Sequence, residues 1–310
     1  MKYPALALLC VFTSFCARSQ GTYNFLRTDV SARAAALNGS FVSMTDDPNV
    51  IFYNPAALAT LTAPRASVGY LKHLLDVNAG HLSYGRAIEG FGTVGAGVLY
   101  IDYGTTTRTD ASGNILGSFS ARELALLAGG AVSLGDQISA GVTIKYIFSS
   151  LADFRSSAIA TDLGILYAIP SENITLGASV SSLGSQLKTY SGVSESLPLD
   201  VRIGITKRPE HLPVLLNLNL HKLNESAPKI ADRFSTFTFG AEFLMSESVR
   251  FRVGYDNEKR KELKLENSAG LAGFSVGGGV VLREYQIDYA FNSYGKIGGL
   301  HRLSLGIALQ

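Results

Sequence analysis

Apolar and polar residues alternate along many segments of this chain, and this period of two constrains the fold more than any other feature. Leu216, Leu218 and Leu220 interleave with Asn217 and Asn219. Successive side chains of an extended strand point to opposite faces, so all three leucines share one face and both asparagines share the other. Helical spacing would scatter these residues around the helix axis. The pattern therefore predicts β-strands.

From residue 65 onward about fourteen such segments follow one another, each close to the ~10 residues that a tilted strand needs to cross a bilayer. Their predicted starts lie near Arg65, Val77, Thr93, Arg122, Ile138, Ser157, Ile174, Leu199, Val214, Phe234, Val249, Ala269, Tyr285 and Leu300. We predict an all-β fold, a transmembrane antiparallel β-barrel of about 14 strands over residues 65–310. A soluble β-sandwich is the alternative, but its strands are shorter and its outer faces carry more charge than the 17% found here.

The predicted connections alternate between short and long. Residues 135–137 and 283–284 are short links, whereas residues 103–118, 183–198 and 257–268 form long ones. Bacterial outer-membrane barrels have short periplasmic turns and longer outer loops, and an even strand number returns both ends of the barrel to the periplasm. We therefore expect a bacterial outer-membrane location with both termini periplasmic and the long loops at the cell surface.

Residues 1–19 are typical of a secretory signal peptide. A positive residue, Lys2, precedes a short apolar core, and Ala17–Ser19 fits a small-residue cleavage site. Removing this segment takes away both cysteines, Cys10 and Cys16, and leaves a mature chain with equal numbers of basic and acidic residues. A neutral chain has no basic surface for phosphate backbones, so nucleic-acid binding is not expected.

Residues 20–64 lack the period of two. Residues 31–37 favour a helix ending near Asn38, and Asn54-Pro55 marks a turn. A barrel of ~14 strands is too wide to be filled by its own side chains. We therefore predict that this segment is a plug, or hatch, in the lumen, with Asn54, Pro55 and Ala56 as its candidate motif.

Several charged residues fall on the polar faces of predicted strands, and both signs are represented. We predict that they form a lumen charge network that holds the plug, with a permeation site as the alternative. The candidate residues are Lys145, Asp162, Arg202, Glu242, Arg250, Arg252 and Asp288.

No motif predicts an enzyme or a cofactor. Residues 273–277 match the Gly-x-Ser-x-Gly nucleophile elbow around Ser275, and Asp288 and His301 follow in hydrolase order. An elbow requires a sharp turn from a strand into a helix, but a glycine-rich strand pattern continues past Ser275. The histidines are scattered singly without zinc-ligand spacing.

Four motifs near the start of the chain together resemble the PorV/PorQ family. They are Phe25-Leu26, the run over residues 30–37, Asp46-Asp47-Pro48-Asn49 and Phe52-Tyr53-Asn54-Pro55-Ala56. Further segments resemble the PorQ branch of that family: residues 103–104, 109–114, 117–121, 197–200 and 204–208.

This resemblance implies an outer-membrane barrel similar to the fatty-acid transporter FadL, with the N-terminal segment inside. It also implies a non-enzymatic role in the type IX secretion system, anchoring a surface attachment complex. The implied partners are a PorZ-like surface protein, a PorU-like sortase and PorV, besides outer-membrane lipid. The alternative function is a FadL-like outer-membrane transporter of hydrophobic small molecules.

Overall fold

Fourteen strands dominate the computed structural model, which describes residues 22–72, 77–225, 233–264 and 270–309. The strands are β1 (Arg65–Lys72), β2 (Asn78–Ile88), β3 (Gly92–Thr109), β4 (Ile115–Ser133), β5 (Ile138–Leu151), β6 (Phe154–Ile169), β7 (Ile174–Lys188), β8 (Asp200–Lys207), β9 (Val214–Leu220), β10 (Phe237–Leu244), β11 (Val249–Asp256), β12 (Phe274–Leu282), β13 (Tyr285–Ser293) and β14 (Gly299–Ala308). Each pairs antiparallel with its neighbours in sequence, and β1 pairs with β14 to close the barrel. The prediction of a 14-strand antiparallel barrel is confirmed.

The helices that the structure describes are short. Over these ranges the α-helices are α1 (Ala32–Ala36) and α2 (Asn257–Glu262), and the 3-10 helices are Asn24–Arg27, Pro48–Phe52, Pro55–Thr60, Pro170–Glu172 and Gly295–Ile297. Among the described residues, no helix has the length and apolar character needed to cross a membrane. The predicted signal peptide, residues 1–19, lies outside the described residues.

Inward and outward faces alternate along the strands as the sequence pattern indicates. In β5, Thr143, Lys145 and Ile147 point inward and are buried, and Lys145 is only 3% exposed. Val142 and Ile144 point outward, and Ile144 is 56% exposed. A continuous outer surface of exposed Leu, Ile, Val, Phe and Tyr is the property of a barrel wall that faces lipid.

The two rims of the barrel differ in their connections. At one rim, here named the short-turn rim, the connections are residues 89–91, 134–137, 170–173, 208–213, 245–248 and 283–284. At the other, the long-loop rim, the described residues of the connections are 77, 110–114, 152–153, 189–199, 221–225, 233–236, 257–264, 270–273 and 294–298. The expected short and long alternation therefore fails at two connections: residues 152–153 form a two-residue turn on the long-loop rim, and residues 208–213 form a six-residue connection on the short-turn rim.

The prediction of a long loop over residues 103–118 is wrong. β3 continues to Thr109 and β4 starts at Ile115, so the actual loop covers residues 110–114 and the remainder is a paired hairpin. Repeated threonine favours extended structure, and Asp110 accepts hydrogen bonds from the backbone N–H of Ser112 and Asn114 to close the tip. We name residues 103–120 the projecting hairpin because they extend past the row in which Asp102 pairs with Arg122.

Residues 22–64, here named the N-terminal segment, run through the barrel from one rim to the other. At the long-loop rim, the Thr22 hydroxyl contacts Glu195, and Arg27 lies 2.9 Å from Glu225. At the short-turn rim, Asp46 pairs with Arg65 at 2.7 Å, where β1 begins. The expectation that both termini share one rim therefore does not hold for Thr22 and Leu309, the first and last described residues. An even number of strands places the start of β1 beside the end of β14, but it does not fix where the segment before β1 begins.

Local capping shapes the N-terminal segment. Ser31 caps α1 by accepting a hydrogen bond from the Ala34 N–H, and Asp47 caps the 3-10 helix whose first residue is Pro48. Gly39 has a φ of +72°, and an added Cβ would lie 2.4 Å from Asp29 Oδ1. The chain reverses there in a way that favours glycine.

We expect Thr22 and the projecting hairpin to lie on the same side of the membrane, since Thr22 contacts a connection of the long-loop rim. Single variants Thr22→Cys, Ser112→Cys and Glu284→Cys place one thiol each, because the chain's two cysteines, Cys10 and Cys16, lie in the predicted signal peptide. With a membrane-impermeant maleimide on intact cells, Thr22→Cys and Ser112→Cys should behave alike and Glu284→Cys should differ. If Thr22→Cys and Glu284→Cys were labelled alike, and differently from Ser112→Cys, the path of the chain described here would be wrong.

Candidate functional site

A buried ion network joins the N-terminal segment to the barrel wall. Arg33 in α1 lies 2.9 Å from Glu242 and 3.1 Å from Asp47. Arg252 in β11 contacts the same Glu242 at 2.8 Å and Asp288 at 2.6 Å. Glu242 therefore lies between one arginine of the segment and one arginine of the wall, and this geometry couples the position of α1 to β10, β11 and β13.

Burial sets the strength of this network. The side chains of Arg252 and Glu242 are 1% and 3% exposed, so water does not screen them. Removing one partner of a buried ion pair costs far more stability than the intact pair contributes, because the other charge is left buried without compensation. The network therefore favours one position of the N-terminal segment over positions in which a buried carboxylate would have no cation beside it.

The other predicted charges lie apart from this network. Lys145 and Asp162 form their own buried pair at 2.6 Å, and Arg202 pairs with Asp200 at 2.7 Å. Arg250 lies at the short-turn rim, where it donates to backbone carbonyls of Ser246 and Val249. The structure thus brings five of the seven predicted residues into contact, Glu242, Arg252 and Asp288 in one cluster and Lys145 and Asp162 in a separate pair.

Asn54, Pro55 and Ala56 pack tightly against the barrel wall. Asn54 is fully buried; its Nδ2 donates to the carbonyls of Val42 and Ile165, and its Oδ1 accepts from the Ala56 N–H. A Cβ added to Gly164 would lie 2.0 Å from Asn54 Oδ1. The wall approaches this turn so closely that glycine is required, and the predicted motif fixes the N-terminal segment to β6.

Sequence patterning missed further charged residues that the structure places in the lumen, among them Arg33, Asp47, Asp200 and Arg302. Arg33 and Asp47 belong to a segment without strand period, so no face could be assigned to them. Asp200 and Arg302 do lie on inward faces of β8 and β14 and are 2% and 4% exposed. The alternation of inward and outward residues along these two strands could have identified Asp200 and Arg302 as lumen residues.

The three residues in hydrolase order do not come together. Ser275 in β12 donates to a backbone carbonyl of the N-terminal segment at 2.8 Å. Asp288 binds Arg252 in the lumen, whereas His301 faces outward with its Nδ1 2.7 Å from the Tyr289 hydroxyl. Within the described ranges, no cluster of His, Cys, Asp or Glu has the composition of a metal site.

A cavity of about 450 Å³ opens at the long-loop rim, between the N-terminal segment, α2 and the inner faces of β1, β2, β3 and β14. Its apolar lining comes from the barrel wall: Leu71, Val77, Ala79, Ile101 and Leu300, with Leu263 from the rim. Its charged lining comes from Arg27, Asp29, Lys222, Lys259, Glu262 and Arg302. One side of the cavity is therefore apolar and the other carries mostly positive charge.

Glu258 holds α2 against the neighbouring rim connection. Its Oε1 lies 2.7 Å from Lys222 Nζ, and its Oε2 lies 3.0 Å from His221 Nε2. Burial raises the pKa of Glu258, but the hydrogen bonds from His221 and Lys222 outweigh burial and lower the pKa to about 2. Glu258 is therefore ionised at neutral pH, and the charge of Lys222 is already balanced.

Lys259 is balanced in the same way. Its Nζ lies 3.3 Å from Asp29 and 3.3 Å from Asp256. Burial lowers the pKa of Lys259, but these two carboxylates raise it above the ordinary value. Lys259 therefore stays protonated and ties α2 to the N-terminal segment.

Arg302 is the exception among the cations that line the cavity. It is 4% exposed, and its NH1 donates to Asn292 Oδ1. Its Nε has no hydrogen-bond partner, and within the part of the chain that the structure describes no carboxylate forms an ion pair with it. A buried guanidinium without a carboxylate is costly, and an anion in the adjoining cavity would lower that cost.

Comparison with known proteins gives a match only at the level of structure. No family model and no curated protein matches this chain. The Ralstonia pickettii toluene transporter TbuX superposes with a TM-score of 0.61 at 12% identity, covering 90% of this chain and 97% of that one. The P. putida toluene transporter TodX gives 0.59 at 12% identity, covering 90% and 98%. A Pseudomonas aeruginosa FadL homologue gives 0.57 at 11% identity, covering 91% and 98%.

This chain has the fold of FadL-type outer-membrane barrels. The likeness extends over nearly the full length of both chains, so it covers the N-terminal segment as well as the strands. At 11–12% identity it concerns the fold alone. What this barrel binds has to be argued from its own residues.

Arg252→Met should destabilise the barrel by roughly 3–5 kcal/mol, because it leaves Asp288 without a cation in a buried site and leaves Glu242 with Arg33 alone. The matched control is Arg250→Met, which removes the same group two residues away at the exposed rim and should change stability by no more than about 0.5 kcal/mol. Urea titration of the purified barrel in micelles gives both free energies of unfolding. Equal effects of the two substitutions would show that the buried network does not stabilise the fold.

Proposed function

We propose that this protein is an outer-membrane barrel that binds a small apolar molecule carrying an acidic group in the cavity at its long-loop rim. The fold supports the membrane location, and the solved structures with this fold include proteins described as toluene transporters. This is the function of a FadL-like transporter of hydrophobic small molecules, the alternative drawn from the sequence.

The observation that carries this proposal is the combination of an apolar wall with the unpaired Arg302. Leu71, Ile101 and Leu300 offer a surface for a hydrocarbon body, and Arg302 lies at the same cavity without a carboxylate partner among the described residues. Ligand sites combine such apolar linings with a few convergent polar groups that fix orientation. An arginine adds charge-assisted hydrogen bonds in a fixed planar geometry.

In this proposal the long-loop rim faces the cell exterior and the short-turn rim faces the periplasm, as in other outer-membrane barrels. The N-terminal segment acts as the plug that closes the lumen below the cavity. Passage of a ligand beyond the cavity then requires the segment to move, and the pair between Arg33 and Glu242 is the contact that resists this movement.

Arg302→Met tests the proposal with two probes of equal chain length, octanoate and octanol. Wild-type protein should bind octanoate more tightly than octanol, and Arg302→Met should weaken octanoate binding at least roughly tenfold, since a hydrogen bond to a charged group is lost. Octanol binding should stay within about threefold. Isothermal titration in micelles measures all four affinities, with Arg250→Met as the matched control. No preference for octanoate in the wild-type protein would refute the acidic ligand.

A second candidate function, an anchor in a type IX secretion complex, is favoured by the projecting hairpin. Its tip exposes Ile115 and Leu116, which are 74% and 63% exposed. Large apolar residues on a rigid hairpin beyond the membrane are suited to a protein contact, and loops on rigid scaffolds often carry recognition. We propose a PorZ-like surface protein as the partner, with a PorU-like sortase and PorV in the same complex, as the family resemblance implies.

Shortening the projecting hairpin tests the anchor. Residues 107–118 are replaced by a two-residue Asn-Gly turn between Thr106 and Phe119, which face each other across the hairpin. We expect the heat-modifiable band of a folded barrel to persist while the PorZ-like protein no longer co-purifies. The matched control, Ser112→Ala, should retain the partner. Retention of the partner by the shortened hairpin would contradict this candidate.

A further inference from the structure

Three cations lie close together on the outward face of β4, β6 and β7 near the long-loop rim. Arg122 in β4 and Arg155 in β6 are both exposed, and each is paired across the sheet with Ser150 of β5. Lys188 in β7 is also exposed and is paired with Ser157, the next outward residue of β6. Because neighbouring strands lie ~4.8 Å apart, the Cα atoms of the two arginines are about 10 Å apart.

These cations are largely free to bind an anion. The Arg122 Nε lies 3.3 Å from Asp102, which also accepts a hydrogen bond from the Tyr100 hydroxyl at 3.3 Å. Within the described ranges, Arg155 and Lys188 have no side-chain ion pair. Counting the described residues alone, the patch thus contains three positive charges and one negative charge, and two of its cations have no counter-charge.

The character of the outward surface between the patch and the middle of the barrel indicates which molecule binds there. The next outward row towards the middle of the barrel contains Leu124 and Phe148, and the row after it contains Leu126 and Ile159, which are both 44% exposed. Ile144, one row further, is 56% exposed. Tyr146 lies between Leu126 and Ile159 in the same row. An apolar face beneath an aromatic residue and a row of cations is the order expected where acyl chains end and head groups begin.

We propose that Arg122, Ser150 and Arg155, together with Lys188, bind the phosphate-bearing head group of a membrane lipid whose acyl chains lie on the apolar rows below. Two guanidinium groups can donate planar pairs of hydrogen bonds to phosphate oxygens, and the Ser150 hydroxyl lies between them. The ligand is a lipid and not free phosphate, since the apolar rows continue directly from the cations. The proposal rests only on the membrane placement in the proposed function and is independent of the cavity ligand.

Native mass spectrometry of the full-length barrel in micelles tests the proposal with two lipids that differ only in phosphate. They are dimyristoylphosphatidic acid and dimyristoylglycerol. Wild-type protein should retain the phosphorylated lipid and not the phosphate-free one. The double variant Arg122→Gln/Arg155→Gln should lower this retention roughly tenfold or more, since each substitution removes hydrogen bonds between charged groups. Added inorganic phosphate at millimolar concentration should not displace the lipid.

The matched control is Arg86→Gln/Arg283→Gln, which removes the same two charges from exposed positions near the short-turn rim. Its lipid retention should equal that of the wild-type protein. Equal loss in both double variants, equal retention of the two lipids, or displacement by inorganic phosphate would overturn the proposal. Both variants should keep the heat-modifiable band and octanoate binding, so failure of the lipid site is distinguishable from failure of the proposed function.

Discussion

Closure of the sheet between β1 and β14 is the constraint on which the rest of the structure depends. The register runs from Arg65 opposite Ala308 to Lys72 opposite His301, so neither edge strand is left unpaired. A strand edge in lipid would carry backbone groups without hydrogen-bond partners, and a closed barrel is the arrangement that removes such edges. Once the wall is closed, its outward residues meet lipid and its inward residues meet whatever fills the lumen.

Filling the lumen follows directly from the strand number. A barrel of fourteen strands leaves more interior space than its own side chains can occupy, and here the N-terminal segment lies in that space. Leu37, Phe41 and Ile51 supply apolar volume, while Arg33 connects the segment to wall carboxylates. On the side of β1, β2 and β14 the segment leaves space at the long-loop rim, and the cavity beside Arg302 occupies that space. The candidate binding site is thus a consequence of how the lumen is filled.

Strand existence could be predicted because it depends on a local period, whereas strand ends could not. Predicted and observed starts coincide at Ile138, Ile174 and Val249, where a polar turn directly precedes the apolar alternation. β4 starts at Ile115, seven residues before the predicted Arg122, because cross-strand hydrogen bonds with β3 extend the hairpin through polar residues. Among the charges, Arg252 and Arg250 have the same parity on β11, and only their depth in the barrel separates the buried network from the exposed rim.

The sequence by itself determined that this chain forms a barrel, which residues face outward, and that its first part is not a strand. These properties follow from side-chain order along the backbone, which is local information. Tertiary structure alone decided that Thr22 reaches the long-loop rim, that Arg33 meets Glu242, and that Arg302 is buried with no carboxylate partner in the described part of the chain. Each of these depends on distances between residues about 170 to more than 200 positions apart in the chain, or on the absence of a partner there, and no local pattern encodes such distances.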